Sequence, residues 1–183
     1  MRIKSNQMGL TFIEVLVAVF ILTSGIFGAI GMQIAAQKSN FDAKERSIAS
    51  ALAQDIVESM RANKSEQSSL DIYQGTYGTG LITQPSKRCH SPSSSCNSNE
   101  VARNDVYEWE QKLMGSDIYE GTVLKGGLIN GRGCISRNQN QIKVVVSWQS
   151  RTEINDGGAN TGGSDCGTAN AGRRQVLLDT FIY

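Results

Sequence analysis

GLTFIEVLVA, residues 9–18, places one charged side chain, Glu14, five positions past a glycine in a segment otherwise fit for a membrane. An acidic residue near the centre of a membrane helix costs about 2.5 to 3.5 kcal/mol on insertion scales, and less near an end, so its presence calls for a function. Upstream, MRIKSNQMG carries Arg2 and Lys4 and no acid, which holds the start of the chain on the cytoplasmic side. Downstream, Val15 to Met32 is free of charge. At 1.5 Å per residue that run makes about 27 Å of helix, close to the hydrocarbon thickness of a bilayer. A secretory signal peptide is the plain alternative, and Ala29-Ile30-Gly31 offers small residues at a suitable spacing for its cleavage. Its apolar region would normally span about 7 to 15 residues without a charge, and this one is longer and holds Glu14 in its first turn. A retained anchor fits better, and anchoring alone leaves the glutamate unexplained.

The apolar pattern continues beyond the membrane-length segment in helical phase. Ile34, Phe41, Ile48, Leu52, Ile56 and Met60 recur at spacings of seven and four, with Lys44, Gln54, Asp55, Glu58 and Arg61 elsewhere around the helix. Glu45 falls on the stripe and interrupts it. Alanines through residues 35–62 favour helix, and Asn63 is a residue that can take a left-handed cap, so one helix of roughly 80 Å from Leu10 to Ala62 is expected. Gly25, Gly28 and Gly31 suit close packing between helices, or else local unwinding.

From Lys64 the composition turns to Gly, Ser, Asn and Thr with short alternating apolar runs. Strands are expected over Gly121–Leu124, Leu128–Ser136, Ile142–Trp148 and Gln175–Ile182, pairing antiparallel, and VARNDVYEWEQKLM (101–114) reads as a helix starting at Asn104 or Asp105 and burying Val106, Trp109 and Leu113. The stripe from Phe41 to Met60 is apolar on one side and long enough to cover the sheet, with Val144, Trp148, Leu177 and Phe181 as its partners. The result is an α+β chain. Residues 10–32 form a membrane-length helix, residues 33–63 its amphipathic half within the head, and residues 64–183 the rest of the head.

The chain has 18 basic and 17 acidic residues; without Arg2 and Lys4 the remainder carries 16 against 17. A nearly neutral body does not recruit nucleic acid or anionic lipid, and the pairs Lys87-Arg88 and Arg173-Arg174 read as solvated surface rather than phosphate sites. No Ser-nucleophile elbow or phosphate-cradling glycine loop is present, and the sole histidine, His90, sits in a serine-rich loop, so neither an enzyme nor a cofactor or metal site is expected. Four cysteines behind an export-like segment suggest disulfides. Cys89 and Cys96 flank a short polar loop whose bridge would contribute about 2.5 kcal/mol, and Cys134 with Cys166 about 3.7 kcal/mol. Three connectivities are open, and the ease of closing the short loop favours this one.

The basic leader, the glycine and the glutamate five places on resemble the amino-terminal signature of type IV prepilins and pseudopilins, with Leu10 and Phe12 exchanged relative to the common GFTLIE. The resemblance implies that residues 1–9 are a leader, that a prepilin peptidase cuts between Gly9 and Leu10, and that the new amino group of Leu10 is methylated. It also implies a pilin-like fold in which an antiparallel sheet lies over the second half of the long helix. Glu14 would meet the mature amino group of a neighbouring subunit. Desolvating both charges costs several kcal/mol, so such a pair selects axial register more than it adds stability.

FIEVLVAVFILTSGIFG (12–28), SIASALAQDIVESMRAN (47–63) and VVVSWQ further resemble pilus-modification minor pilins of the PilV type. This implies a low-abundance subunit that initiates or caps a type IV pilus, serving twitching motility, adhesion or DNA uptake. The implied partners are other minor pilins, the major pilin, an inner-membrane assembly platform and a tip adhesin. The head would lie in the periplasm before assembly and at the cell surface after it. A minor pseudopilin of type II secretion shares the same signature, and a single-pass anchored adhesin that never assembles is the alternative of a different class.

Overall fold

The computed structural model describes residues 11–65, 67–80, 83–89, 91, 94–115, 119–120, 123–124, 126–151, 166–168 and 170–183. Two compact units divide the chain, Met1–Asn40 and Phe41–Tyr183. The first helix, α1 (Phe12–Ala62), is continuous through both. It buries Glu45, Ala49, Leu52, Ala53, Ile56, Val57 and Met60, a three-and-four spacing that puts one face against the head core. Asn63 does not take the left-handed conformation anticipated for it. It is buried instead, and its Nδ2 donates to the Ser98 carbonyl at 2.7 Å and to the Tyr73 hydroxyl at 3.3 Å. Helix α1 therefore stops where the residue that follows it becomes a tertiary anchor.

A short helix, α2 (Gln67–Ile72), and a three-residue strand, β1 (Gly75–Tyr77), follow. Neither is long enough to show a period in sequence. The helix expected from Asn104 or Asp105 begins earlier, as α3 (Ser98–Met114). Asn97 caps it reciprocally: its side chain accepts from the Glu100 N–H, and the Glu100 carboxylate accepts from the Asn97 N–H, both at 2.9 Å. This satisfies two amide donors that would otherwise lack partners and fixes the start. Asn104 and Asp105 serve inside the helix, where Asn104 Oδ1 accepts from Arg88 Nε and Asp105 from the Tyr73 hydroxyl. Val106, Trp109 and Leu113 are buried, as the sequence indicates. Gly115 closes α3 at φ 71°, the left-handed cap.

Strands β2 (Tyr119–Glu120) and β3 (Val123–Leu124) form a separate two-stranded ladder. The expected strand from Leu128 starts only at Arg132, because the Gly131 N–H bonds the Leu128 carbonyl in a turn with Asn130 at φ 48°. Beyond that turn lie β4 (Arg132–Asn138), β5 (Gln141–Gln149) and β6 (Arg173–Phe181), which with β1 make a four-stranded antiparallel sheet in the order β1-β4-β5-β6. Strand β5 is central and presents Ile142, Val144, Val146 and Trp148 to α1 and α3. In β6 the register pairs Val146 with Val176 and Val144 with Leu178, so even-numbered residues face the core. Leu177 and Phe181, expected as core partners, point the other way and are exposed.

Trp109 joins the layers. Its Nε1 donates to the Leu52 carbonyl of α1 at 2.8 Å, and its ring stands edge-on to Tyr77 at 5.6 Å between centroids. Gly133 of β4 lies directly beneath: a Cβ there would come within 2.2 Å of the indole. On the opposite face of the sheet a second small layer forms where Cys166 covers Val145 and Ser147, both buried. The structure joins Cys134 of β4 to Cys166 and Cys89 to Cys96. The fold is thus α+β, a long apolar helix packed by its second half against a four-stranded antiparallel sheet.

Candidate functional site

Before Asn40, α1 leaves its large apolar side chains exposed among the described residues. Its most apolar 18-residue window has a mean hydropathy of 2.3 with none of that window buried, long and apolar enough by length and composition to cross a membrane. Phe12, Phe20 and Phe27 are each at least 74% exposed. Such a surface is stable only in lipid or against other apolar helices. The backbone is already satisfied helically, and the two hydroxyls in the run close on their own helix: Thr23 Oγ1 donates to the Phe20 carbonyl at 3.0 Å and Ser24 Oγ to the Ile21 carbonyl at 2.9 Å.

Glu14 is the exception. It lies in the first turn, exposed, where its backbone N–H bonds the Thr11 carbonyl at 3.1 Å, and its carboxylate has no partner among the described residues. The helix N-terminus favours a negative charge there by a fraction of a kcal/mol in water, too little to offset burial in hydrocarbon. Gly9 and Leu10, the residues of the anticipated cleavage and methylation, lie outside the described residues. At Gly25, Gly28 and Gly31 a Cβ would meet nothing within 4 Å. The helix runs unbroken through all three, so the unwinding alternative is not seen in this conformation.

The head contains a second displaced carboxylate. Glu45 is only 4% exposed, and neither its Oε2 nor the Trp148 indole N–H has a hydrogen-bond partner among the described residues. Burial pushes the Glu45 carboxyl up to about 7, the neighbouring Asp42 charge adds to this, and Arg151 and the nearby Trp148 indole act in the opposite direction. Asp42 accepts from the Ser150 hydroxyl at 2.8 Å, and the Arg151 guanidinium lies 3.9 Å over the Phe41 ring. The sequence marked this position only as a break in the apolar stripe.

The basic pairs read as solvated surface are committed elsewhere. Lys87 pairs with Glu100 at 2.8 Å and Arg88 with Glu108 at 2.7 Å, and Arg88 also covers the Tyr107 ring. These contacts hold the Glu100 and Glu108 carboxyls below their ordinary values, by hydrogen bonding from Lys87 in one case and from Arg88 against the cost of burial in the other. Arg173 is buried, its guanidinium bonded to Ser147 Oγ and to the Asn130 and Cys166 carbonyls. Its structural use could not be seen in sequence, because Ser147 and Cys166 meet it only through the sheet register and the bridge. His90 lies outside the described residues.

Two features therefore bear on function: an unpacked apolar helix carrying one carboxylate, and a head whose polar groups mostly serve its own architecture. No curated protein and no solved structure matches the chain. A family model described as Tt1218-like, Type IV pilin Tt1218, matches residues 31–107, about two fifths of the chain. The matched stretch covers α1 from Gly31, α2, β1 and most of α3, the elements that carry the head core on the helix side. This similarity supports a type IV pilin family, a family of structural filament subunits rather than enzymes, and it fits the membrane-length helix.

Proposed function

We propose that the chain is a minor type IV pilin, a low-abundance subunit that joins other minor pilins to initiate or cap a pilus. The carrying observation is Glu14: an acid without a partner among the described residues, in the first turn of an unpacked apolar helix that continues into the head core. A bilayer alone gives that carboxylate no counter-charge. A neighbouring subunit with a free amino group at the start of its own helix does, and in a low-dielectric filament core the pair fixes the axial step. The subunit waits in the inner membrane with its head on the periplasmic side, is cut between Gly9 and Leu10 by a prepilin peptidase, is methylated at Leu10, and enters the filament as apolar faces exchange lipid for protein.

Mass spectrometry of the membrane-extracted protein tests the first step. The expected amino terminus is methylated Leu10, and a mature form beginning near Gln33, with the apolar run removed, would end the proposal. For the second step, Glu14→Ala is expected to remain membrane-bound and cleaved while co-purifying with other pilins at least tenfold less efficiently, the loss of roughly 1.4 kcal/mol or more of coupling. Normal co-purification of Glu14→Ala would show that register is set elsewhere.

A further inference from the structure

A polar cleft of about 540 Å³ opens at one end of the sheet, on the face away from α1, lined by Thr76, Thr79, Asn130, Arg132, Thr168 and Arg173 among others. Its described lining holds two guanidiniums, several hydroxyl and amide side chains, and no carboxylate. The volume lies in the range of small-molecule sites and accommodates one or two sugar rings.

The walls are fixed by the fold. Gly78 at φ +88° brings its backbone so close to Gly131 that a Cβ would meet the Gly131 carbonyl at 2.3 Å. Arg132 staples the two loops, its Nη1 donating to both the Gly78 and Gly131 carbonyls. That anchors the guanidinium plane on a half-buried side chain that lines the cleft, and Nε and Nη2 have no hydrogen-bond partner among the described residues. Behind it, Arg173 is locked by Ser147 and two carbonyls, Gly167 at φ +90° lets the backbone pass against that guanidinium, and the Cys134–Cys166 bridge ties the layer to β4.

We propose that this cleft binds an acidic saccharide, its carboxylate taken by Arg132 and its ring hydroxyls by the threonine and amide side chains. A planar guanidinium presents paired N–H donors to a carboxylate. Threonine hydroxyls and side-chain amides both donate and accept, which matches sugar hydroxyls. Inorganic phosphate would engage the arginine and the hydroxyl and amide donors but leave their acceptor oxygens unused. The assignment rests on the cleft alone and stands whether or not the subunit enters a filament.

Ligand-observed NMR titration of the full chain in detergent micelles decides it, with N-acetylneuraminic acid and glucuronic acid as probes against N-acetylglucosamine, glucose and inorganic phosphate. The acidic sugars are expected to bind in the millimolar range, about tenfold tighter than the neutral sugars or phosphate. Arg132→Gln is expected to remove that preference, and Thr76→Val with Thr79→Val to weaken the sugars more than phosphate. Because Arg132 also staples two loops, Arg132→Lys is the companion variant: it keeps the charge and a donor to the carbonyls, and is expected to melt like the parent yet lose the acid preference. Absence of binding, equal binding of neutral and acidic sugars, phosphate binding as tightly as the acidic sugars, or an unchanged preference in Arg132→Lys would each overturn the assignment.

Discussion

Glu45 shows what one misplaced proton acceptor does to a fold. Its carboxyl is pushed up to about 7 by burial and by Asp42, so between the ordinary carboxylate range and neutrality the folded head holds a proton that the unfolded chain has released. The sign follows: this contribution to stability is fully present below about pH 4.5, declines as pH rises through about 7, and is flat above that, amounting to up to about 3 kcal/mol. Urea melts at pH 5 and pH 8 should therefore show a more stable head in acid. Glu45→Gln should abolish most of the difference by stabilising the pH 8 form, and an unchanged pH slope in that variant would assign the effect to another group. Sequence periodicity located Glu45 on the buried stripe, since it falls in phase with Ile48 and Leu52. Asp42, three residues before it on the same helix, is also legible, but Trp148 and Arg151 are not, because they lie about a hundred residues away and arrive only with the sheet.

At the scale of elements, the contact between α3 and β4 is the most demanding. Gly133 has no side chain because Trp109 occupies that space, and Trp109 is held in turn by the Leu52 carbonyl. Gly133→Ala forces the indole to move or the strand to bend, at a cost on the order of 1 to 3 kcal/mol. A thermal melt of the variant should show a clear loss, and its Trp fluorescence should shift toward a more polar environment. A melting curve identical to the parent would mean that the sheet yields at no cost. Elements of this kind were unevenly legible. Central strand β5 and the inward face of α3 follow from apolar spacing alone. The start of α3 was written at Asn97 and Glu100, three apart, where the capping rule applies, yet the later Asn104 and Asp105 were more conspicuous. Strand β6 was located and its face assigned one residue out of phase: VLL offers three consecutive apolar residues, and only the pairing with β5 decides which of them turn inward. Strand β1 is too short to carry a pattern.

For the whole molecule, the apolar stripe on α1 and the apolar run of β5 each demand a covered face, which made their packing legible, while the sheet laid over the second half of α1 came from the resemblance to pilins, since periodicity alone does not give that topology. The polar layer on the far side of the sheet was not legible, since it depends on a bridge between residues 32 apart in sequence. Removing that bridge with Cys134→Ser and Cys166→Ser is expected to cost about 3.7 kcal/mol, against about 2.5 kcal/mol for the Cys89–Cys96 loop, on chain-entropy grounds. Denaturant titration of the two double variants ranks them, and the reverse order would show that the Cys166 layer adds little to the head. The self-closed hydroxyls of Thr23 and Ser24 have a last consequence, for traffic. From Phe12 to Met32 the Glu14 carboxylate is the one charged group that must change its company when the surroundings change from acyl chains to protein, and the hydroxyl donors of Thr23 and Ser24 are already spent on their own helix. In the exchange of lipid for protein proposed above, the rest of the rod finds like surroundings on both sides, so the direction of transfer is set at the Glu14 end.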